Sequence, residues 1–176
     1  MDTLLQVLLD GMLNGMLYAL VAVGLCLIWG VMDVINFAHG EYVMISMYVT
    51  YWLGFLANVD PLISMFAGGL FIFILGALTY RLIIKYTVGK PPLSALLATF
   101  GLAMLLKNLC LNQFTPNYRI LSDTWLGDRT FQLGAIIVPV PQLVTAVLAL
   151  VVIGLVFYMV RSTRFGWAVQ ATAMDK

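Results

Sequence analysis

Charge is scarce in this sequence. Of its 176 residues, 62% are hydrophobic and 10% are charged, and the net charge at pH 7 is +1. About a quarter of the residues of a soluble domain are charged. The composition therefore excludes an ordinary soluble domain and predicts an integral membrane protein. Without any block of like charge, the sequence gives no reason to expect nucleic acid as a partner.

Side chains for catalysis or metal binding are also few. His39 is the only histidine, so no second one exists to complete a metal site with Asp33 and Glu41. His39 and Glu41 are two positions apart, which on a helix points them to different faces. No serine lies in the G-x-S-x-G setting of a hydrolase, and "VGKPP" at 88–92 lacks the features of a phosphate loop. We therefore predict no enzyme activity, no metal and no cofactor.

The sequence also has only two cysteines and no basic N-terminal start. Cys26 and Cys110 lie in apolar runs without metal or redox spacing, so we interpret them as small side chains in the lipid phase. The apolar run that follows residues 1–3 is longer than the core of a signal peptide. We expect it to remain attached as the first membrane helix.

Long apolar runs are what the sequence does contain. Crossing a hydrocarbon layer of ~30 Å takes ~20 apolar residues in a helix. The predicted fold class is all-α, a polytopic membrane helix bundle that forms a single transmembrane region over 1–176. The predicted transmembrane helices are 4–29, 42–57, 62–80, 93–111 and 143–160.

Two connectors have local structural signals. The stretch Asn58-Val59-Asp60-Pro61 predicts a tight turn, because proline and its polar neighbours end one helix and start the next. The loop over 112–142 is long and polar in its first half. Within it, "TFQLGAIIVPV" at 130–140 predicts a strand, a turn and a second strand.

Lysine and arginine gather in two short segments, 81–90 and 161–176. Short basic segments stay on the cytoplasmic side of a membrane, and these two lie on the same side because two spans separate them. An odd number of spans then places the N-terminus in the periplasm and the C-terminus in the cytoplasm.

The segment "VMDVINFAHGEYVM", residues 31–44, places polar side chains between two apolar runs. Such groups cost ~2.5 to 3.5 kcal/mol at membrane depth, so we expect them to face a wet cavity, a bundle interior or an interface. Gly30 and Gly40 bracket the segment and would let a helix end and restart. We therefore predict a helix break around 33–41, of the kind that transporters use for polar sites. A plain solvated loop is the alternative.

Small residues indicate where membrane helices pack. Gly11 and Gly15 form a G-x-x-x-G step with Asn14 beside it, and Thr99 belongs to a similar small-residue step in the fourth span. Lipid tails are as apolar as leucine, so such close packing is what holds membrane helices together. We predict that Gly11 and Gly15 pack against neighbouring helices.

Three landmarks resemble one known family. The stretch "GMLYALVAVGLCLIWGVMDVINFAHGEYVMISMYV" at 15–49 resembles the signature of branched-chain amino acid ABC-importer permeases, with "INFAHGE" at 35–41. The stretch "LLATFGLAMLLKN" at 96–108 resembles the next landmark of that family. The segment "RSTRFGWAVQATAMDK" at 161–176 resembles the basic segment after its fifth helix. The three occur in the family's order.

The resemblance implies a permease subunit of an ABC importer that moves branched-chain amino acids across the bacterial inner membrane. Its implied partners are a second permease subunit, cytoplasmic ATPase subunits that hydrolyse ATP and a periplasmic substrate-binding protein. Transport of urea or short amides, and a small membrane scaffold that transports nothing, are the alternatives. Asn36, His39 and Glu41 are the implied transport-path residues, and we add Asn14 and Thr99 as polar residues within the spans.

Family members continue past "ATAMDK" with a short helix that docks on the ATPase and with further membrane spans. The sequence therefore resembles the N-terminal part of a permease. We expect a truncated or split reading frame, a fragment of a longer product or a nonfunctional remnant. We also expect poor stability alone, because an incomplete bundle exposes packing faces.

Overall fold

The computed structural model describes residues 2–114, 117, 119, 127, 129–133 and 136–174. These residues belong to two compact units. One comprises Met1–Val31 and Leu126–Lys176, and the other comprises Met32–Trp125. The α-helices are α1 (Asp2–Met32), α2 (His39–Ala57), α3 (Pro61–Leu82), α4 (Pro92–Phe114), α5 (Val140–Ser162) and α6 (Arg164–Met174).

The helices confirm the predicted fold class. Each of the five predicted spans falls within one of the helices α1 to α5. Within the described ranges, four helices (α1, α3, α4 and α5) have the length and apolar composition to cross a membrane. The helix α2 is long enough but less apolar, because it begins with His39-Gly40-Glu41 and contains three tyrosines. The molecule is thus a polytopic helical bundle.

The surface of the bundle is apolar. Large side chains such as Phe66 and Phe73 on α3 are 72% and 74% exposed, and Leu56 on α2 is 74% exposed. In water such a surface would lead to aggregation, whereas lipid tails solvate it at no cost. The exposed apolar side chains therefore indicate that lipid surrounds these helices.

In the first unit, the start of α1 contacts a β-hairpin. Strand β1 (Thr130–Leu133) pairs antiparallel with β2 (Ile136–Pro139). The Gln6 side chain completes the edge of β2, because its Nε2 donates to the Ile137 carbonyl at 2.8 Å and its Oε1 accepts from the Ile137 N–H at 3.0 Å. The hairpin predicted at 130–140 is confirmed, although its turn residues, 134–135, and most of the loop before it lie outside the described residues.

The segment after α5 forms the helix α6, whereas the sequence was interpreted there only as a basic segment. Thr163 caps it, since its hydroxyl accepts from the Gly166 N–H at 3.1 Å. Gly166 lies against the end of α5, where an added Cβ would overlap the Val160 carbonyl oxygen. The Gln170 side chain also donates to that carbonyl at 2.9 Å. These contacts fold α6 back on α5.

In the second unit, α2 and α3 run antiparallel and pack closely. Gly68 of α3 faces α2, where an added Cβ would lie 2.9 Å from Ser46 Oγ and 3.1 Å from Thr50 Oγ1. The tight turn predicted before α3 is confirmed. Asn58 adopts φ 51° after α2, and Asp60 caps α3 by accepting from the Leu62 N–H at 2.9 Å.

The helix α4 runs parallel to α2 in this unit. Just before the start of α2, the Phe37 N–H contacts Thr99 of α4, and at the middle of α2 the Tyr48 ring stacks on Phe114 at the end of α4. The core between these two contacts contains Ala38, Tyr42, Ala103 and Leu106. The small alanines let the two helices approach each other.

Candidate functional site at a broken helix

The chain leaves helical geometry between α1 and α2. Residues 33–38 form neither helix nor strand, and α2 begins at His39. A helix break was predicted around 33–41, but 39–41 already belong to α2. The predicted role of the glycines is wrong, because Gly30 lies inside α1 and Gly40 inside α2. The break occurs at Asp33, whose φ of 56° is a left-handed conformation that aspartate tolerates better than most residues.

Asn36 lies at the centre of the break and is 4% exposed. Its side-chain Oδ1 accepts from the Ala38 N–H at 3.0 Å, and its carbonyl accepts from the His39 N–H at 3.2 Å. A side chain that bonds to the backbone two residues ahead forms a local turn. Asn36 therefore shapes the entry into α2.

Thr99 of α4 supports the same segment and is 0% exposed. Its Oγ1 accepts from the Phe37 N–H at 3.2 Å and lies 3.2 Å from the Ile35 carbonyl. It also lies 2.9 Å from the Ala95 carbonyl of its own helix, so its single proton has several acceptors within reach. Buried backbone outside a helix needs such partners. Thr99 provides one from α4.

Two further buried polar residues, which the sequence analysis missed, continue this polar region. The Tyr42 hydroxyl donates to Thr79 Oγ1 at 2.8 Å, and Tyr42 also has a side-chain hydrogen bond with Asn36. Asn36, Tyr42 and Thr79 thus form a chain of polar groups from the break to α3. The sequence signal for these two residues was a polar side chain inside an apolar span. Their pairing could not be predicted, because residues 37 positions apart form no local pattern.

His39 and Glu41 occupy the first turn of α2. Both are partly buried, and their helical spacing of two residues points them to different faces. Among the described residues, no group of three or more histidine, cysteine, aspartate or glutamate side chains is placed to hold a metal ion. The site presents hydrogen-bonding and ionisable groups at one end of the second unit.

The remaining predicted site residues lie in the first unit. Asn14 is exposed on α1, and its Oδ1 accepts from Gln142 Nε2 at 3.4 Å. Gly11 and Gly15 are exposed too, and an added Cβ would meet no atom within 4 Å at either. The predicted packing of Gly11 and Gly15 against neighbouring helices therefore stays a prediction. Of the predicted path residues, the structure brings Asn36, His39, Glu41 and Thr99 into one unit.

A lipid-exposed helical bundle with buried polar groups at a helix break is the construction of a multi-pass membrane protein. The comparison with known families makes this class specific. Residues 7–176 match the family described as the permease component of branched-chain amino acid transport systems. The chain belongs to this family.

Curated relatives are named as permease proteins of such transport systems. The chain is 31% identical to the high-affinity branched-chain amino acid transport system permease protein BraD of Pseudomonas aeruginosa. It is 27% identical to the permease proteins LivH of Salmonella typhimurium and Escherichia coli, which belong to a transport system of the same description. Each match covers 97% of this chain and 59% of the relative. The chain thus spans about three-fifths of the length of these relatives. No solved structure matches it.

Proposed function

We propose that the chain contributes to the permease of an ABC importer that moves branched-chain amino acids across the bacterial inner membrane. The match of residues 7–176 to the permease family carries this proposal, and the relatives are named for that transport. The buried polar groups beside the helix break support it, because a transport path needs polar groups inside an apolar bundle.

The same proposal includes the orientation of the chain. The break and the basic connector lie at the same end of the second unit, since Val34 of the break packs in one cluster with Ile84, next to Lys85. Basic connectors remain in the cytoplasm. The break then lies toward the cytoplasmic side, the N-terminus is periplasmic and the C-terminus is cytoplasmic.

Within the break, we assign different roles to the polar residues. The side chains of Asn36 and Thr99 bond to the backbone of residues 35–38 as well as to Tyr42 and Ala95, so we assign them the role of holding the break in shape. His39 and Glu41 begin the helix that follows and are the proposed path residues. Asn14, in the other unit, is a further proposed path residue because it is a polar side chain within a span.

The proposed partners are a second permease subunit, cytoplasmic ATPase subunits and a periplasmic substrate-binding protein. The ATPase subunits would hydrolyse ATP, so this chain itself would have no catalytic role. Exposed Gly11 and Gly15 on α1 offer a flat surface of the kind on which membrane helices associate. The second permease subunit is the proposed occupant of that surface.

Uptake measurements test the function. The chain is expressed with the second permease subunit, the ATPase subunits and the binding protein in cells that lack other branched-chain amino acid importers, and uptake of radiolabelled leucine is followed. We expect ATP-dependent uptake that excess isoleucine and valine reduce and that urea or acetamide leaves unchanged. Assembly of the complex without leucine uptake would contradict the proposal, and inhibition by the amides would reassign the substrate.

Variants then test the path residues. We expect His39→Ala and Glu41→Gln to lower uptake at least tenfold without reducing the amount of assembled complex. Lys107→Gln is the matched control for Glu41→Gln, because Lys107 is an exposed charge on α4. If both site variants transport as well as the control, these residues are not on the path.

A further inference from the structure

An aromatic cluster lies at the end of α2 opposite the break. The Trp52 ring of α2 contacts the rings of Phe55 on the same helix and of Phe114 at the end of α4, and Tyr51 stacks on Phe55. Arg119 covers this cluster, with its Cζ 5.5 Å from the Tyr51 ring centroid and 5.3 Å from that of Trp52. The cluster thus holds a guanidinium against two aromatic faces.

Two buried donors in this cluster lack acceptors. Among the described residues, the buried side-chain nitrogens without a hydrogen-bond partner are Trp52 Nε1 and Arg119 Nε. Buried donors are nearly always paired with protein, water or a bound group. That both unpaired donors occur in one small cluster, rather than scattered through the bundle, indicates a common acceptor.

The charge of Arg119 defines the chemistry of that acceptor. Arg119 Nη2 donates to the Phe114 carbonyl at 2.7 Å, so the described partners of Arg119 are one carbonyl and two rings, and none is a carboxylate. A guanidinium held in a protein prefers an oxyanion, whose oxygens accept strong charge-assisted hydrogen bonds. An anionic oxygen would satisfy the donors and compensate the charge together.

The two side chains that carry these donors are in direct contact. The Arg119 Cζ lies 5.3 Å from the centroid of the Trp52 ring, so one bound group beside this contact would reach both side chains. We propose that Trp52 and Arg119 form an oxyanion-binding site at this end of the bundle. The oxyanion is the carboxylate of an amino acid or the phosphate of a lipid headgroup.

The test measures binding to the purified chain in a non-ionic detergent through the thermal midpoint of unfolding, which rises with any ligand that binds the folded state. The probes are L-leucine, 4-methylpentanoate, which keeps the carboxylate without the amine, and leucinamide, which lacks the carboxylate. Phosphatidylglycerol provides the phosphate. We expect a saturable rise with the carboxylates or with the phospholipid, and none with leucinamide.

Four variants connect this rise to the site. Trp52→Phe keeps an aromatic ring but removes the donor, and Arg119→Lys keeps the charge but removes Nε, so each should weaken binding about tenfold or more. Trp29→Phe and Lys107→Gln are the matched controls, since both residues are exposed and outside the cluster. Phenylalanine and lysine resemble the tryptophan and arginine that they replace, so the two site variants should keep the native fold.

The pattern of thermal shifts distinguishes a carboxylate ligand from a phospholipid ligand. A rise with 4-methylpentanoate that Trp52→Phe abolishes identifies the carboxylate source, and a rise with phosphatidylglycerol alone identifies the lipid. Equal binding by Trp52→Phe, Arg119→Lys and the two controls would overturn the site, as would an equal effect of leucinamide. Because binding is measured without transport, the site and the proposed function fail independently.

Discussion

Removal of the Thr99 hydroxyl tests what holds the helix break. Thr99→Val keeps the shape of the side chain, so it leaves almost no cavity, but it deprives the Phe37 N–H of its acceptor. An unsatisfied buried donor costs about 1–3 kcal/mol, although hydrogen bonds between membrane helices average nearer 0.6 kcal/mol. We therefore expect Thr99→Val to lower the free energy of unfolding by about 1–2 kcal/mol.

Local opening at the break is the sharper measurement. Hydrogen exchange in micelles reports the opening equilibrium of the Phe37 amide, and a loss of about 1.4 kcal/mol accelerates exchange tenfold when opening and closing are fast relative to exchange. Thr145→Val is the matched control, because the Thr145 hydroxyl is exposed and bonds only to carbonyls of its own helix. If Thr99→Val and Thr145→Val leave exchange at residue 37 equally unchanged, Thr99 does not hold the break.

Two further variants test packing in the second unit. Gly68→Ala would place a Cβ 3.3 Å from the Ser46 carbonyl oxygen and force the Ser46 hydroxyl to rotate away, so we expect a loss of about 1 kcal/mol. Gly69→Ala, with no atom within 4 Å, should be nearly neutral in the same unfolding assay. Tyr42→Phe removes the hydrogen bond to Thr79 and should cost about 1 kcal/mol. A Tyr42→Phe chain as stable as the wild type would mean that this bond contributes nothing.

Local sequence signals predicted the elements that depend on local physics. Apolar runs predicted the five long helices, of which four have membrane-spanning length and composition among the described residues, and the proline at position 61 marked the first turn of α3. The pattern of strand, turn and strand in 130–140 predicted the hairpin. Thr163 is a helix-capping residue type, so the start of α6 could also have been predicted from the sequence.

Tertiary contacts determine the conformation of the break and the pairing of side chains between helices, which the sequence did not predict. Gly30 and Gly40 were expected to let one helix end and the next restart, because glycine tolerates backbone conformations that other residues avoid. In the structure the left-handed residue at the break is Asp33, and both glycines lie within helices. Pairings such as Tyr42 with Thr79 depend on which helix faces lie together, and a single sequence does not encode that in any periodic pattern.

The support of the break from α4 has a mechanical consequence. Because the Thr99 hydroxyl accepts from Phe37 and lies beside the Ile35 carbonyl, movement of α4 along α2 must break or replace hydrogen bonds at residues 35–37. Those residues lead directly into the turn that carries His39 and Glu41. Non-helical backbone lacks the internal hydrogen bonds of a helix, so its geometry depends on the groups of neighbouring elements that bond to it. A break held by a neighbouring helix therefore couples the position of that helix to the proposed path residues, which a break made of glycines alone would not do.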